Sequence, residues 1–142
     1  MNIELSKKEF RRLLDLAYIG NWVLNSERDG SDRIADYDAL TSKLFALCGD
    51  FGMDRLFEVQ RGITIPSREY VDGGIHDAIM YYEDSAFFEI LAEELTRRDM
   101  GFPTIGEDNA DEFASRMDKY IDEFEENGIE NIQISSNSGD FR

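Results

Sequence analysis

Apolar residues recur at three- and four-residue intervals along most of this chain, and that spacing constrains its fold more than any other feature. The clearest case opens the sequence. Ser6-Lys7-Lys8-Glu9 reads as a capping box, in which a hydroxyl and a carboxylate satisfy backbone N–H groups that a helix start leaves free. Phe10, Leu13, Leu14, Ala17 and Leu24 then fall on one helical face. The opposite face starts with Lys8, Arg11, Arg12 and Asp15, then becomes apolar at Ile19, Trp22 and Val23. A helix apolar on both sides must be covered on both sides. Asn21 and Asn25 project near the apolar stripe, so their amides need hydrogen-bond partners if buried.

After the polar turn Glu27–Asp32, the spacing of Tyr37, Leu40, Leu44, Leu47 and Phe51 predicts a second helix over 31–48, with Gly49 as its stop. Asp29-Gly30-Ser31-Asp32 lacks the alternating oxygens and closing Glu of a calcium loop and reads as a turn. Ile63-Thr64-Ile65-Pro66 reads as extended, because proline disfavours helix in the residue before it. Gly73-Gly74 breaks the chain before a short helix over 75–82, and Asp84 or Ser85 would cap the next. Phe87, Phe88, Leu91 and Leu95 form the core stripe of that helix, which Met100-Gly101-Phe102-Pro103 ends. A last helix, capped near Asn109 and stopped at Asn127-Gly128, gathers Phe113, Met117, Tyr120, Ile121 and Phe124 on one face. Ile129, Ile132 and Ile134 suggest a short closing strand. The expected architecture is mainly α, α+β at most: a compact bundle of four to five helices with minor extended segments. It forms a single helical domain over 1–134, followed by a flexible tail over 135–142.

Composition narrows the function. With 42% hydrophobic residues in 142, the chain can build a real core despite a net charge of −16. Its apolar runs are too short to cross a bilayer, and Met1–Ser6 has no signal-like pattern. The single cysteine fits a reducing cytoplasm. The expectation is a soluble cytoplasmic protein without membrane contact. Direct nucleic-acid binding is not expected either, since that needs clustered Lys and Arg. The charge is uneven: residues 1–28 carry five bases and four acids, whereas 107–142 carry three bases and eleven acids. The two ends are therefore complementary, within one chain or between two.

His76 is the only histidine, which removes multi-histidine metal sites and HExxH chemistry. It reads as an ordinary solvated or satisfied residue; Asp72 could orient its ring only if Gly73-Gly74 did not intervene. Cys48 follows Leu44, Phe45 and Leu47 at a helix C-terminus, where the dipole disfavours a thiolate, so it reads as structural. No nucleophile elbow, phosphate loop or dinucleotide fingerprint occurs, and no catalytic residue, cofactor or metal is assigned.

Two surfaces remain. Ile19, Trp22 and Val23 form a candidate partner interface, because Trp is enriched at interface hot spots. The segment 56–71 is expected to cover this face; if it stays open, homodimerisation through it is the leading expectation. Asp111, Asp118, Asp122 and Glu125 form a candidate acidic stripe about 21 Å long at ~1.5 Å per residue. It would suit a basic partner, as in an inhibitor, an immunity-like protein or a DNA mimic, although a plain solvated face is its commoner meaning. The preferred expectation is a non-enzymatic protein–protein interaction domain. Its rival is a small enzyme with a carboxylate-lined site near 56–83.

The run Leu13-Leu14-Asp15-Leu16-Ala17-Tyr18-Ile19-Gly20-Asn21-Trp22 and the run Phe87 to Asp99 carry a resemblance, joined by the ending Phe124-Glu125-Glu126-Asn127-Gly128-Ile129. Together they resemble a family of small uncharacterised bacterial proteins with no known activity. The resemblance runs through most of the chain and implies a bacterial, cytoplasmic origin. It brings no ligand or catalytic residue.

Overall fold

The computed structural model describes residues 2–134 and is mainly α with a small antiparallel sheet. The elements are α1 (Lys7–Asn25), α2 (Ala35–Ala46), β1 (Phe57–Gln60), β2 (Ile63–Pro66), α3 (His76–Asp99) and α4 (Ala110–Asn127). The expected tail over 135–142 lies outside the described residues. The chain divides into two compact units, Met1–Met80 and Tyr81–Arg142, with α3 beginning in the first and continuing through the second.

The first unit is built on α1. The capping box forms as its sequence requires: Ser6 Oγ accepts from the Glu9 N–H, and the Glu9 carboxylate accepts from the Ser6 N–H at 2.8 Å. Phe10 and Leu14 are buried, and with Phe45, Cys48, Met53, Tyr70 and Ile75 they form the core. Phe10 also stacks on Phe51, with ring centroids 4.1 Å apart. The far end of α1 is held by a buried amide. Asn25 Nδ2 donates to Asn21 Oδ1 at 2.8 Å and to the Ile34 carbonyl at 3.2 Å, while its Oδ1 accepts from the Ile34 N–H at 2.9 Å. Asn25 thus pairs both backbone groups of Ile34, as a neighbouring peptide would, and closes the 26–34 loop onto the helix.

The second helix is shorter than the 31–48 expected and buries a different face. Thr41, Phe45 and Cys48 point inward, whereas Tyr37, Leu40 and Leu47 are exposed. Leu44 and Phe51 of the expected stripe do pack at the edge of the core; Tyr37, Leu40 and Leu47 satisfy helical spacing as well as the buried face does, and only tertiary packing chooses between them. Nor is Gly49 the stop. The helix tightens into a 3₁₀ turn over Leu47–Phe51, and Gly52 ends it in the left-handed region at φ 63°.

Ile63–Pro66 is extended as expected, but it has a partner that the spacing did not reveal. β1 pairs with β2 from Phe57↔Pro66 to Gln60↔Ile63 through Arg61 and Gly62, both at positive φ. Such a two-residue turn usually announces itself as Asn-Gly or Asp-Gly, and an arginine in the first position conceals it. Gly73 and Gly74 interrupt the helical course as expected: their backbone is non-helical, with Gly74 at φ 100°, and the chain kinks over Val71–Ile75 immediately before α3.

The second unit is an antiparallel helical hairpin. α3 runs unbroken for 24 residues, so the expected boundary at Asp84 or Ser85 does not exist. Neither residue forbids helix interior positions, and nothing resembling glycine or proline punctuates them. Gly101 and Phe102, at φ 77° and 55°, turn the chain. α4 then returns alongside, with Phe88 and Phe124 ring centroids 5.5 Å apart and Arg97 over the Phe113 ring. The buried positions of α3 here are Ala92 and Thr96, while Phe87 of the expected stripe is exposed. Tyr120 donates its hydroxyl proton to Asp99, which Arg98 also holds, and the Tyr120 bond is the first cause of a depressed Asp99 pKa. Gly128 ends α4 as expected, but Ile129, Ile132 and Ile134 form no strand; residues 128–131 turn, and no described segment pairs with them.

Two substitutions test this packing. Asn25→Ala removes the partner of both Ile34 backbone groups and is expected to cost about 2–3 kcal/mol in urea unfolding. Thr96 Oγ1 is buried with no hydrogen-bond partner among the described residues. Thr96→Val is therefore expected to be neutral or stabilising by up to about 1 kcal/mol in the same assay.

Candidate functional site

A buried phenol organises the first unit. Tyr70 is 1% exposed. The one-turn helix Arg68–Tyr70, capped by Ser67 Oγ, delivers it to the core. Its ring meets Phe45 edge-on at 4.8 Å and Tyr18 at 5.3 Å, and the Arg11 guanidinium lies over it at 4.7 Å. Its hydroxyl donates to Asp15 Oδ1 at 3.0 Å, and Asp15 also takes ion pairs from Arg11 and Arg12. Burial, followed by the Asp15 charge, pushes the Tyr70 pKa well above the ordinary tyrosine value. This phenol is a fixed hydrogen-bond donor rather than an acid.

Three surfaces surround that centre. The first is a cleft of about 550 Å³ between α1, α2 and β2, walled by Trp22, Tyr18, Ile63 and Pro66. Its polar floor is an interlocked set. Arg33 donates to both carboxylate oxygens of Asp38, at 2.8 and 2.7 Å, and Asn21 donates to Asp38 at 2.9 Å. The Arg33 bonds are the first cause of a lowered Asp38 pKa. Beside the cleft, the Tyr18 hydroxyl and His76 Nε2 are 2.8 Å apart, and the Trp22 ring meets the imidazole edge-on at 4.7 Å. His76 is thus partnered by Tyr18, while Asp72 pairs with Arg68.

The second surface is the outer side of α1. The expected interface residues divide here: Ile19 packs against the core cluster, Trp22 turns to His76 and the cleft, and Val23 is 69% exposed. β2 lines the Trp22 cleft, so the 56–71 segment borders part of this face and leaves Val23 outside. Val23 stands instead with Leu16, 70% exposed, and with Gly20, where an added Cβ would meet nothing within 4 Å. Spacing marked Ile19, Trp22 and Val23 because they are apolar. Leu16 and Gly20 were legible only as parts of a helix of unknown orientation.

The third surface is a groove of about 840 Å³ beside the start of α1, lined by Lys7, Lys8, Arg11, Arg12 and Arg55 above Met53 and Leu56. In the other unit, Asp111, Asp118, Asp122 and Glu125 are all exposed on α4, opposite its Phe124 side.

Around 56–83, Glu69 pairs with Arg55, Asp72 pairs with Arg68, and Glu58 accepts from the Gln60 amide. Burial pushes the Cys48 thiol up. Among the described residues no cluster of three His, Cys, Asp or Glu could hold a metal ion, and no helix is long and apolar enough to cross a membrane. Searches against protein-family models, curated proteins and solved structures return no match.

The depressed Asp38 pKa gives a pH dependence of definite sign. Its ion pair stabilises the fold above the ordinary aspartate range and is lost as pH falls through the lowered native value. Both side chains are more than a third exposed, so solvent screening limits the effect to less than about 1 kcal/mol. The stability gap between wild type and Asp38→Asn is expected to narrow in urea unfolding as pH drops from about 6 to about 3.

Proposed function

We propose that this chain is a protein–protein interaction module that pairs with a second copy of itself through the outer face of α1. The observation that carries this reading is the exposed seam Leu16-Gly20-Val23, directly opposite the helix side that holds Phe10 and Leu14. A glycine within a helix costs about 1 kcal/mol relative to alanine, and close approach of another backbone offsets that cost. Leu16 and Val23 would each gain about 1.5–3 kcal/mol from full burial.

The charges favour an antiparallel, two-fold arrangement. With the axis passing between Ile19 and Gly20, Leu16 of one copy faces Val23 of the other. Arg12, which is largely exposed, then faces the exposed Glu27. Each contact occurs twice, as an isologous interface requires. Ile3, Leu5 and Leu13 extend the apolar surface at the N-terminal end of the helix.

Light scattering coupled to size exclusion tests the reading. Wild type is expected as a dimer, and Leu16→Lys combined with Val23→Lys as a folded monomer by circular dichroism. Arg12→Glu is expected to weaken the dimer about fivefold, and adding Glu27→Arg to restore it. A monomeric wild type at about 100 μM rejects the proposal, since a functional dimer at that level needs better than about −5.5 kcal/mol. A dimer untouched by the double lysine variant rejects this face.

A further inference from the structure

The groove beside the start of α1 concentrates cations in a chain that has few. Five of the fifteen Lys and Arg residues line it, against only two acids, Asp54 and Glu69. Arg12 stands on the border with the self-association face, so Lys7, Lys8, Arg11 and Arg55 carry the inference.

These groups are arranged for a ligand larger than a single ion. Lys7, Lys8 and Arg11 lie on one side of α1 and span about 6 Å at ~1.5 Å per residue, comparable to a chain of two or three linked phosphates. Arg55 adds a cation to the lining; it is ion-paired with Glu69 of the same groove at 3.2 Å, and because both side chains are exposed that pair is weak enough to yield to a phosphate. Arg11 is held in place by Asp15 and by the Tyr70 ring, so its guanidinium is oriented before any ligand arrives. The Lys7 ammonium reaches the Gly52 carbonyl at 3.4 Å, bringing the two walls together.

The floor has a different character. Met53 is buried and Leu56 half-buried, and most of the exposed lining is apolar, including the stems of the long cationic side chains. A volume of about 840 Å³ falls within the range of small-molecule sites. Cationic walls over an apolar floor suit a ligand with a polyanionic end and a flat apolar body. We propose that this groove binds a nucleoside di- or triphosphate, with the phosphates on Lys7, Lys8, Arg11 and Arg55 and the base over Met53 and Leu56.

Isothermal titration at low ionic strength tests this, with ATP, inorganic triphosphate, adenosine and a hexaglutamate peptide as probes. ATP is expected to bind saturably, at least about threefold more tightly than triphosphate, with adenosine and the peptide much weaker. Lys8→Ala combined with Arg55→Ala removes two exposed side chains and is expected to weaken ATP binding by about tenfold or more. Arg68→Ala, an exposed cation outside the groove, should leave it unchanged. Circular dichroism keeps loss of fold distinct from loss of binding. No saturable ATP binding up to about 1 mM, or an affinity indifferent to the double variant, overturns the site. Triphosphate matching ATP, or hexaglutamate exceeding it, overturns the ligand class.

Discussion

The hydrogen bond from the Tyr70 hydroxyl to Asp15 holds the first unit in its particular arrangement. Burying a phenol and a nearby carboxylate is unfavourable unless each finds a partner. Asp15 receives the phenol proton on one side and the guanidinium of Arg11 on the other, and Arg11 spans the same ring from above. A bond to a charged acceptor contributes about 1.5–3 kcal/mol, enough to select one docking of the 67–75 segment on α1 among several equally apolar ones. Once that segment is docked, Ser67 must cap its turn, and the glycine pair must bend the chain so that Ile75 and His76 reach the core and Tyr18. The kink before α3 is therefore a consequence of where Tyr70 sits, with Gly74 supplying the positive-φ residue at φ 100°.

α1 is the hub because its sides carry different physics. One side is the aromatic and aliphatic core. The C-terminal end is a polar lattice of Asn21, Asn25, Arg33 and Asp38 that gives the 26–34 loop its shape without any apolar staple. The N-terminal end is cationic, and the outer side is an apolar seam interrupted by Gly20. Such a division lets one helix hold a fold together and still present two chemically distinct surfaces, one apolar and one cationic.

Much of this was legible from residues alone, for identifiable reasons. The capping box at Ser6 and Glu9, the stop at Gly128 and the need to satisfy Asn21 and Asn25 are local rules of backbone hydrogen bonding, and the structure follows them. Orientation was not local. In α2 the stripes through Leu40 and through Phe45 both have helical spacing, and only contact with α1 and Tyr70 selects the second. The unbroken α3 was hidden because Asp84 and Ser85 are good capping residues that a helix also tolerates inside. The cationic groove is not legible in the sequence for a different reason. Lys7, Lys8 and Arg11 look like an ordinary solvated face until Arg55, far along the chain, is folded across from them.

The distribution of charge separates the two units in a further respect. Met1–Met80 holds ten bases and fourteen acids, whereas Tyr81–Arg142 holds five and seventeen. The hairpin thus carries a net −12 on a small framework in which Ala92, Thr96 and Phe124 are buried, while the first unit carries only −4 on a larger core. Like charges on the hairpin repel across distances comparable to the Debye length, about 8 Å at physiological ionic strength. Screening by dissolved salt accordingly relieves more repulsion in the second unit than in the first, so the two halves of one chain answer differently to the same ionic strength.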